Sequence, residues 1–403
     1  MSTLSERILG APAGAYVDRD VDLAFAHDGT GVLTREALHE MGVEQLPHPE
    51  RLRLIFDHIV PANTGTTATL QAELRAYARV SGIPLSDVGE GICHQVMSEG
   101  LVRPGMIVVG ADSHTCTAGA FGAFATGVGA TDMAAIWASG GTWFRVPETI
   151  AVNLSGNLSG AAEPKDLALT YVARLGMEGA TYRALEFVGE GVRGISMDGR
   201  LTLCNMAVET GAKTGMFYAD DPTLRYLAGY GVKASSQVVE DCRYERTLDL
   251  DLDDIVPLVA VPHRVDTVLE AEEVAGTHLD QVFVGTCTNG RDEDLERFAR
   301  IVRGKKVAVR TLVFPASRAV LSRAIERGIL ADIVNAGCAV GPPGCGPCLG
   351  AHAGVLGEGE VCLSTANRNF KNRMGVGGKI YLSSVATAAA SALAGEIAVP
   401  EVA

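Results

Sequence analysis

The sequence predicts an α/β protein, and three observations carry that reading. From Gln281 the chain runs through an apolar stretch, Gln-Val-Phe-Val-Gly, a polar loop and helical spacing from Asp292 to Arg303; Gly304 and a second apolar run, Val307 to Phe314, follow. That order is a strand, a crossover helix and a parallel strand. An earlier segment repeats the logic. Met106 to Gly110 is apolar, Ala111 to Gly119 is polar and small, and Thr131 stands as the cap of a helix from Asp132 to Ser139 that Gly140 ends. Glycine is the third signal: 47 of 403 residues is well above the usual share of about 7%, while aromatics are only 5%. Close backbone approach must therefore replace large side chains in much of the packing.

The length allows two or three domains, at roughly 150 residues each. Composition breaks near Pro147 and again in the acidic stretch Leu248 to Asp254, which reads as a solvated connector, giving α/β units at 1–146, 147–250 and 251–403. Between these breaks, Arg200 to Glu209 has helical character and ends at Gly211, so Asn205 and Glu209, four apart, share a face. The most apolar run, Val385 to Ala394, is too short for a bilayer and reads as a helix between Ser384 and Gly395. Nothing in the first residues joins a basic start to an apolar run, so the expected location is cytoplasmic. The net charge of −14 argues against nucleic-acid and anionic-membrane partners, because both demand positive charge.

Nine cysteines without an export signal are not a disulfide framework. Most have apolar or small neighbours and read as buried hydrophobes, but Cys345 and Cys348 stand in Gly-Pro-Pro-Gly-Cys-Gly-Pro-Cys-Leu-Gly, too rich in Gly and Pro for helix or strand. A rigid loop of that kind points two thiolates at one metal centre while exposing backbone N–H groups. A thioredoxin-type pair needs a helix start, and a zinc ribbon needs a second cysteine pair; neither is present. Cys287, in Gly-Thr-Cys-Thr-Asn-Gly after a strand and before a helix, is the best-placed third ligand, although spacing alone does not separate it from Cys338 or His352. Three thiolates suit a 4Fe–4S cluster with one iron open to substrate.

Histidines and carboxylates accompany these cysteines: Asp57-His58, His94 after Cys93, and Asp112-Ser113-His114. Singly, each such histidine is more often structural than catalytic, and neighbouring residues 112 to 114 cannot relay in line as a serine-protease triad. The segment Asn367 to Arg373 concentrates three cations in an acidic protein, as a carboxylate substrate would need; alone it reads as an exposed basic loop.

Taken together, Gly-Ala-Asp-Ser-His-Thr-Cys-Thr (110–117), Leu-Cys-Asn-Met-Ala-Val-Glu (203–209), Gly-Thr-Cys-Thr-Asn-Gly (285–290), Pro-Gly-Cys-Gly-Pro-Cys-Leu-Gly (343–350) and Asn-Arg-Asn-Phe (367–370) resemble the aconitase superfamily. Within it, the resemblance is to the large subunits of 3-isopropylmalate dehydratases in their shorter form, from Asp57 to Ala394. The resemblance implies a three-domain iron–sulfur fold with mixed and parallel sheets packed around a 4Fe–4S cluster on Cys287, Cys345 and Cys348. It implies histidine–carboxylate pairs Asp57 with His58, Asp112 with His94, and Glu209 with His114. Ser113, Asn205, Asn367, Arg368 and Arg373 match the family's substrate and cluster contacts, and His27-Asp28-Gly29-Thr30 falls in a variable region lining the cleft. The implied activity is a hydro-lyase reaction interconverting 2- and 3-isopropylmalate in leucine biosynthesis, with homoaconitate and other 2-alkylmalates as alternatives. Asn372 replaces the family's usual Gly, and Asn is the side chain that best tolerates a left-handed turn. The family's fourth, swivelling domain, with its serine base, is absent from the 403 residues, so a separate small subunit is expected. A cluster-free RNA binder and a purely structural iron–sulfur or zinc protein are the rivals outside enzymes; the charge of −14 disfavours the first.

Overall fold

The computed structural model describes residues 2–239 and 242–401. Its strands form three large sheets in chain order, plus a two-stranded antiparallel ribbon of Tyr16–Asp20 and Gly141–Arg145. The first sheet is wholly parallel, in the order Leu85–Ser86, Leu52–Ile55, Leu23–His27, Ile107–Gly110, Phe124–Gly127. Leu23–His27, buried at every position, is its central strand. Unbroken apolar runs of this kind belong to parallel sheets covered on both faces.

The second sheet, Thr214–Phe217, Ala184–Val188, Thr149–Ser155 and Arg246–Asp251, is also parallel. Its last strand corrects the sequence reading, which took this acidic stretch for a connector. Leu250 is buried while Asp249 and Asp251 face out. Leu-Asp-Leu-Asp is thus the period-two pattern of an edge strand, and the exposed carboxylates blunt that edge.

The third sheet has seven strands, in the order Val268–Glu270, Leu258–Ala260, Lys379–Ser383, Val361–Ser364, Gln281–Val284, Arg310–Val313, Ala339–Val340. Five are parallel; the first two pair antiparallel at one edge. The expected crossover is present, with Asp292–Val302 as its helix and strands 281–284 and 310–313 in parallel register.

Helix ends differ from expectation in instructive ways. The helix expected from Asp132 starts at Ala130 after Gly129, with no side-chain cap, so Thr131 lies inside it. The helix carrying Asn205 runs Met197–Ala207 because Ser196 caps it, and a 3-10 turn, Val208–Thr210, extends it to Gly211 at φ 83°. Ser384 occupies the cap position of Val385–Ala394, but its hydroxyl bonds Thr387, and the amide of Ala386 donates to Glu163 instead. The cysteine loop is not wholly irregular, since Gly346–Leu349 makes one 3-10 turn. Asn372 adopts φ 66°, the left-handed conformation its side chain tolerates. The largest buried apolar cluster runs from Phe25 through Leu201 to Phe283 and Phe314, so the sheets are joined by shared packing. No helix among the described residues is long and apolar enough to cross a membrane.

Candidate active site

Parallel sheets deliver their ligands at the C-terminal ends of strands, and two sheets here aim those ends at one cavity of about 190 Å³. From the first sheet, strand Leu23–His27 ends on His27, Leu52–Ile55 leads to Asp57 and His58, and Ile107–Gly110 leads to Asp112. From the third, Gln281–Val284 leads to Cys287, Ala339–Val340 to Cys345 and Cys348, and Val361–Ser364 to Asn367 and Arg368. Behind the lining, the helix ending at Ala207 carries Asn205 and the 3-10 turn after it carries Glu209.

Each of the three histidines has the carboxylate that the resemblance implies. His58 Nδ1 is 2.6 Å from Asp57 Oδ1, His94 Nε2 is 2.8 Å from Asp112 Oδ1, and His114 Nε2 is 2.8 Å from Glu209 Oε1. Asp57 is fully buried, and its second oxygen accepts the amide of Cys93. A carboxylate so fixed locks the tautomer and tilt of its imidazole. Burial depresses the proton affinity of His58, but the charge and hydrogen bond of Asp57, with Cys345 alongside, override it and hold His58 well above the ordinary histidine value. In His94 burial prevails over Asp112, and the ring is held below its ordinary value. Asp112 goes the other way: burial favours its neutral form, yet His94 and His114 together hold it well below the carboxylate range. One cavity thus contains a histidine that keeps its proton and another that sheds it.

Cys287, Cys345 and Cys348 all line this cavity. The Cys287 thiol receives side-chain N–H groups from Asn205 at 3.2 Å and Asn367 at 3.5 Å, and burial with Cys348 and Asp112 nearby pushes it up to about 12. Its sulfur lies within 4.8 Å of ring nitrogens of His94 and His114. The donor set is soft sulfur, N–H groups are already aimed at one sulfur, and Asn367 Oδ1 and Arg373 Nε are buried without partners. These features fit an iron–sulfur centre. The rival ligands are elsewhere: Cys338 belongs to a separate buried apolar cluster with Ile333 and Val284, and His352 Nε2 is 2.7 Å from the Pro61 carbonyl.

Arg368 Nε donates to Glu209 Oε1 at 2.8 Å, so that one oxygen serves both His114 and Arg368. Arg373 lies beside Cys348, whose proximity outweighs burial and raises its guanidinium above the ordinary value. Ser113 is exposed at the start of the 3-10 segment Ser113–Phe121 and is not among the side chains lining the cavity.

Reading of the residues alone missed the parts played by His27 and Asp28. The His27 ring stacks on His58 with centroids 3.7 Å apart. The Asp28 carboxylate accepts the amides of Asp57, His58 and Ile59 at 3.4, 3.0 and 2.9 Å, so it shapes the turn that presents His58. The resemblance placed His27 and Asp28 beside the cleft without a role; the residues themselves offered only an acidic residue directly after a strongly apolar strand.

This arrangement defines a class: the chain belongs to the aconitase family (aconitate hydratase), whose profile matches residues 6–395. It is a hydro-lyase of that family, and membership implies an iron–sulfur cluster. Among its relatives, the probable methanogen homoaconitase large subunit of Methanosarcina mazei is 55% identical over 385 residues, covering 94% of this chain and 98% of the relative. The 3-isopropylmalate dehydratase large subunit 1 of Methanopyrus kandleri is 48% identical over 99% of this chain and 98% of its own length. The solved structure of Thermococcus kodakaraensis aconitase X shares the fold at 13% identity, with a TM-score of 0.54 over 87% of this chain and 84% of that one.

Proposed function

We propose that this chain is the cluster-bearing large subunit of a 3-isopropylmalate dehydratase, built as three units divided near residues 147 and 251. The observation that carries the reading is the convergence of three buried cysteines and three carboxylate-held histidines on one cavity. Cys287, Cys345 and Cys348 would hold a 4Fe–4S cluster, which would supply Lewis-acid chemistry for loss of the substrate hydroxyl.

The side chains supply the rest. His58 is the acid: Asp57 holds its Nδ1, and its raised proton affinity keeps it charged for donation to the departing hydroxyl. His94 with Asp112, and His114 with Glu209, orient the groups around it. Arg368 and Arg373 neutralise substrate carboxylates, Asn205 and Asn367 steady Cys287, and Ser113, exposed at the start of its 3-10 segment, is a substrate contact in this reading. The carbon-bound proton goes to a serine base on a separate small subunit that carries the swivel domain. Relatives named as large subunits support that division.

Among the described lining residues the guanidinium groups are those of Arg368 and Arg373, two cations for the two carboxylates of an isopropylmalate. Homoaconitate, with three carboxylates, is the second reading, favoured by the 55% identical methanogen relative. The test is an anaerobic assay of the chain co-expressed with its small subunit against 2- and 3-isopropylmalate, other 2-alkylmalates, homocitrate and cis-homoaconitate. The highest kcat/KM is expected for 3-isopropylmalate. A preference for homoaconitate would select the second reading, and no turnover of any of these acids would remove both.

A further inference from the structure

Lys165 is fully buried, the second residue of helix Pro164–Leu175, in the second unit. Its Nζ donates to the carbonyls of Thr365 at 2.9 Å and Ala366 at 2.7 Å, two hundred residues away in the third unit. Those carbonyls stand directly before Asn367 and Arg368. Thr365 is a hub in its own right: its Oγ1 accepts the amide of Gly285 at 3.0 Å and donates to the Gly285 carbonyl at 3.2 Å. Gly285 opens the turn that presents Cys287. The lysine therefore grips the point at which the Cys287 turn and the Asn367–Arg368 turn are tied together.

Burying an ammonium is costly unless its hydrogen bonds are made, and an apolar side chain of similar volume would be cheaper for stability alone. Here the ammonium is met by carbonyl dipoles, with no ion-pair partner within 4.0 Å among the described residues. Burial pulls it down to about 7, opposed by Asp294, Asp166, Cys287 and Cys348 nearby.

We propose that Lys165 is a positioning residue of this site: its ammonium fixes the Thr365 and Ala366 carbonyls so that Asn367 and Arg368 face the cavity, and through Thr365 and Gly285 it places a positive charge beneath the turn of Cys287, one of the three cysteines that line the cavity. The second half of this statement rests on those cysteines being the cluster ligands. A residue that supports a metal site from behind is worth about 10- to 100-fold in affinity or activity, and a positive charge near thiolate-held iron favours the reduced state electrostatically.

The test compares wild type, Lys165→Met and Lys165→Arg, each reconstituted as the large subunit alone and then assayed with the small subunit. In Lys165→Met the reduction midpoint is expected to move negative and the KM for the acid to rise about 10- to 100-fold. Lys165→Arg should return the midpoint toward wild type. A merely structural lysine would lower the melting temperature and leave the midpoint in place. Wild-type midpoint and KM in Lys165→Met would overturn the proposal. Should that variant be insoluble, Lys165→Gln, which keeps an N–H donor without the charge, is judged by the same two readouts. If wild type itself holds no iron and sulfide, the function proposed above fails, and the lysine is judged by hydrogen exchange in the metal-free chain. There, faster exchange of the Thr365–Arg368 amides in Lys165→Met supports the clamp, and unchanged exchange sinks it.

Discussion

His58 is where opposing effects meet at the scale of a single residue. Desolvation alone would strip its proton, yet Asp57 at 2.6 Å and Cys345 hold its proton affinity well above the ordinary value near 6.5. The sign of the pH dependence follows. The protonated, donating form persists through neutral pH, and turnover falls only as pH rises through the raised value. His58→Gln keeps a hydrogen-bonding side chain but has no proton to give. Its kcat should drop by about 10² to 10⁴, the usual worth of a positioned acid, with iron and sulfide content unchanged and the alkaline limb of the profile gone. A raised KM at unchanged kcat would make His58 a binding residue instead. The adjacent Asp57-His58 pair was readable from sequence, because the carboxylate and imidazole are neighbours. The stacking of His27 on His58 was not, since it depends on two parallel strands ending side by side.

At the scale of elements, strand ends and the turns after them do the positioning. Asp28 follows strand Leu23–His27 and accepts the amides of three consecutive residues in the next strand's turn. Burial works against its charge, but His27 and His58 more than compensate, so its acidity is strengthened on folding. A carboxylate with a depressed folded value adds stability that is present above its unfolded value of about 3.9 and lost as pH falls through the folded one. Asp28→Ala should therefore cost about 1–3 kcal/mol at neutral pH, through the stranded amides. The difference from wild type should shrink in urea titrations taken well into acid. An equal difference at both pH values would mean that the carboxylate's charge plays no part. The crossover around Asp292–Val302 was legible because strand and helix periods alternate cleanly there. Arg246–Asp251 was misread because its charges drew attention from the strict alternation of Leu248 and Leu250. Lys165 left no trace either, since Glu-Pro-Lys-Asp reads as an ordinary helix start; its partners lie two hundred residues away.

For the whole molecule, the decisive property is what the cavity contains and what it omits. Two sheets bring sulfur donors, imidazoles and two guanidinium groups to a single place. The motifs that build it are local blocks of sequence, which is why the site was more readable than the helix caps around it. A hydro-lyase also needs a base for the carbon-bound proton and a means of excluding water from the reacting acid. In the proposed arrangement both come from the small subunit closing over the face that holds Arg368 and Arg373. The purified chain should then bind iron and sulfide through its own cysteines while showing almost no dehydratase activity. The small subunit should restore turnover without raising the iron content. Substitution of exposed Val376, three residues beyond Arg373, by a charged residue should weaken assembly and turnover in parallel. The measurements are iron and sulfide analysis of the isolated chain, and activity titrated against added small subunit. Full activity from the isolated chain, freed of any copurifying host subunit, would place the base within these 403 residues and refute the divided site.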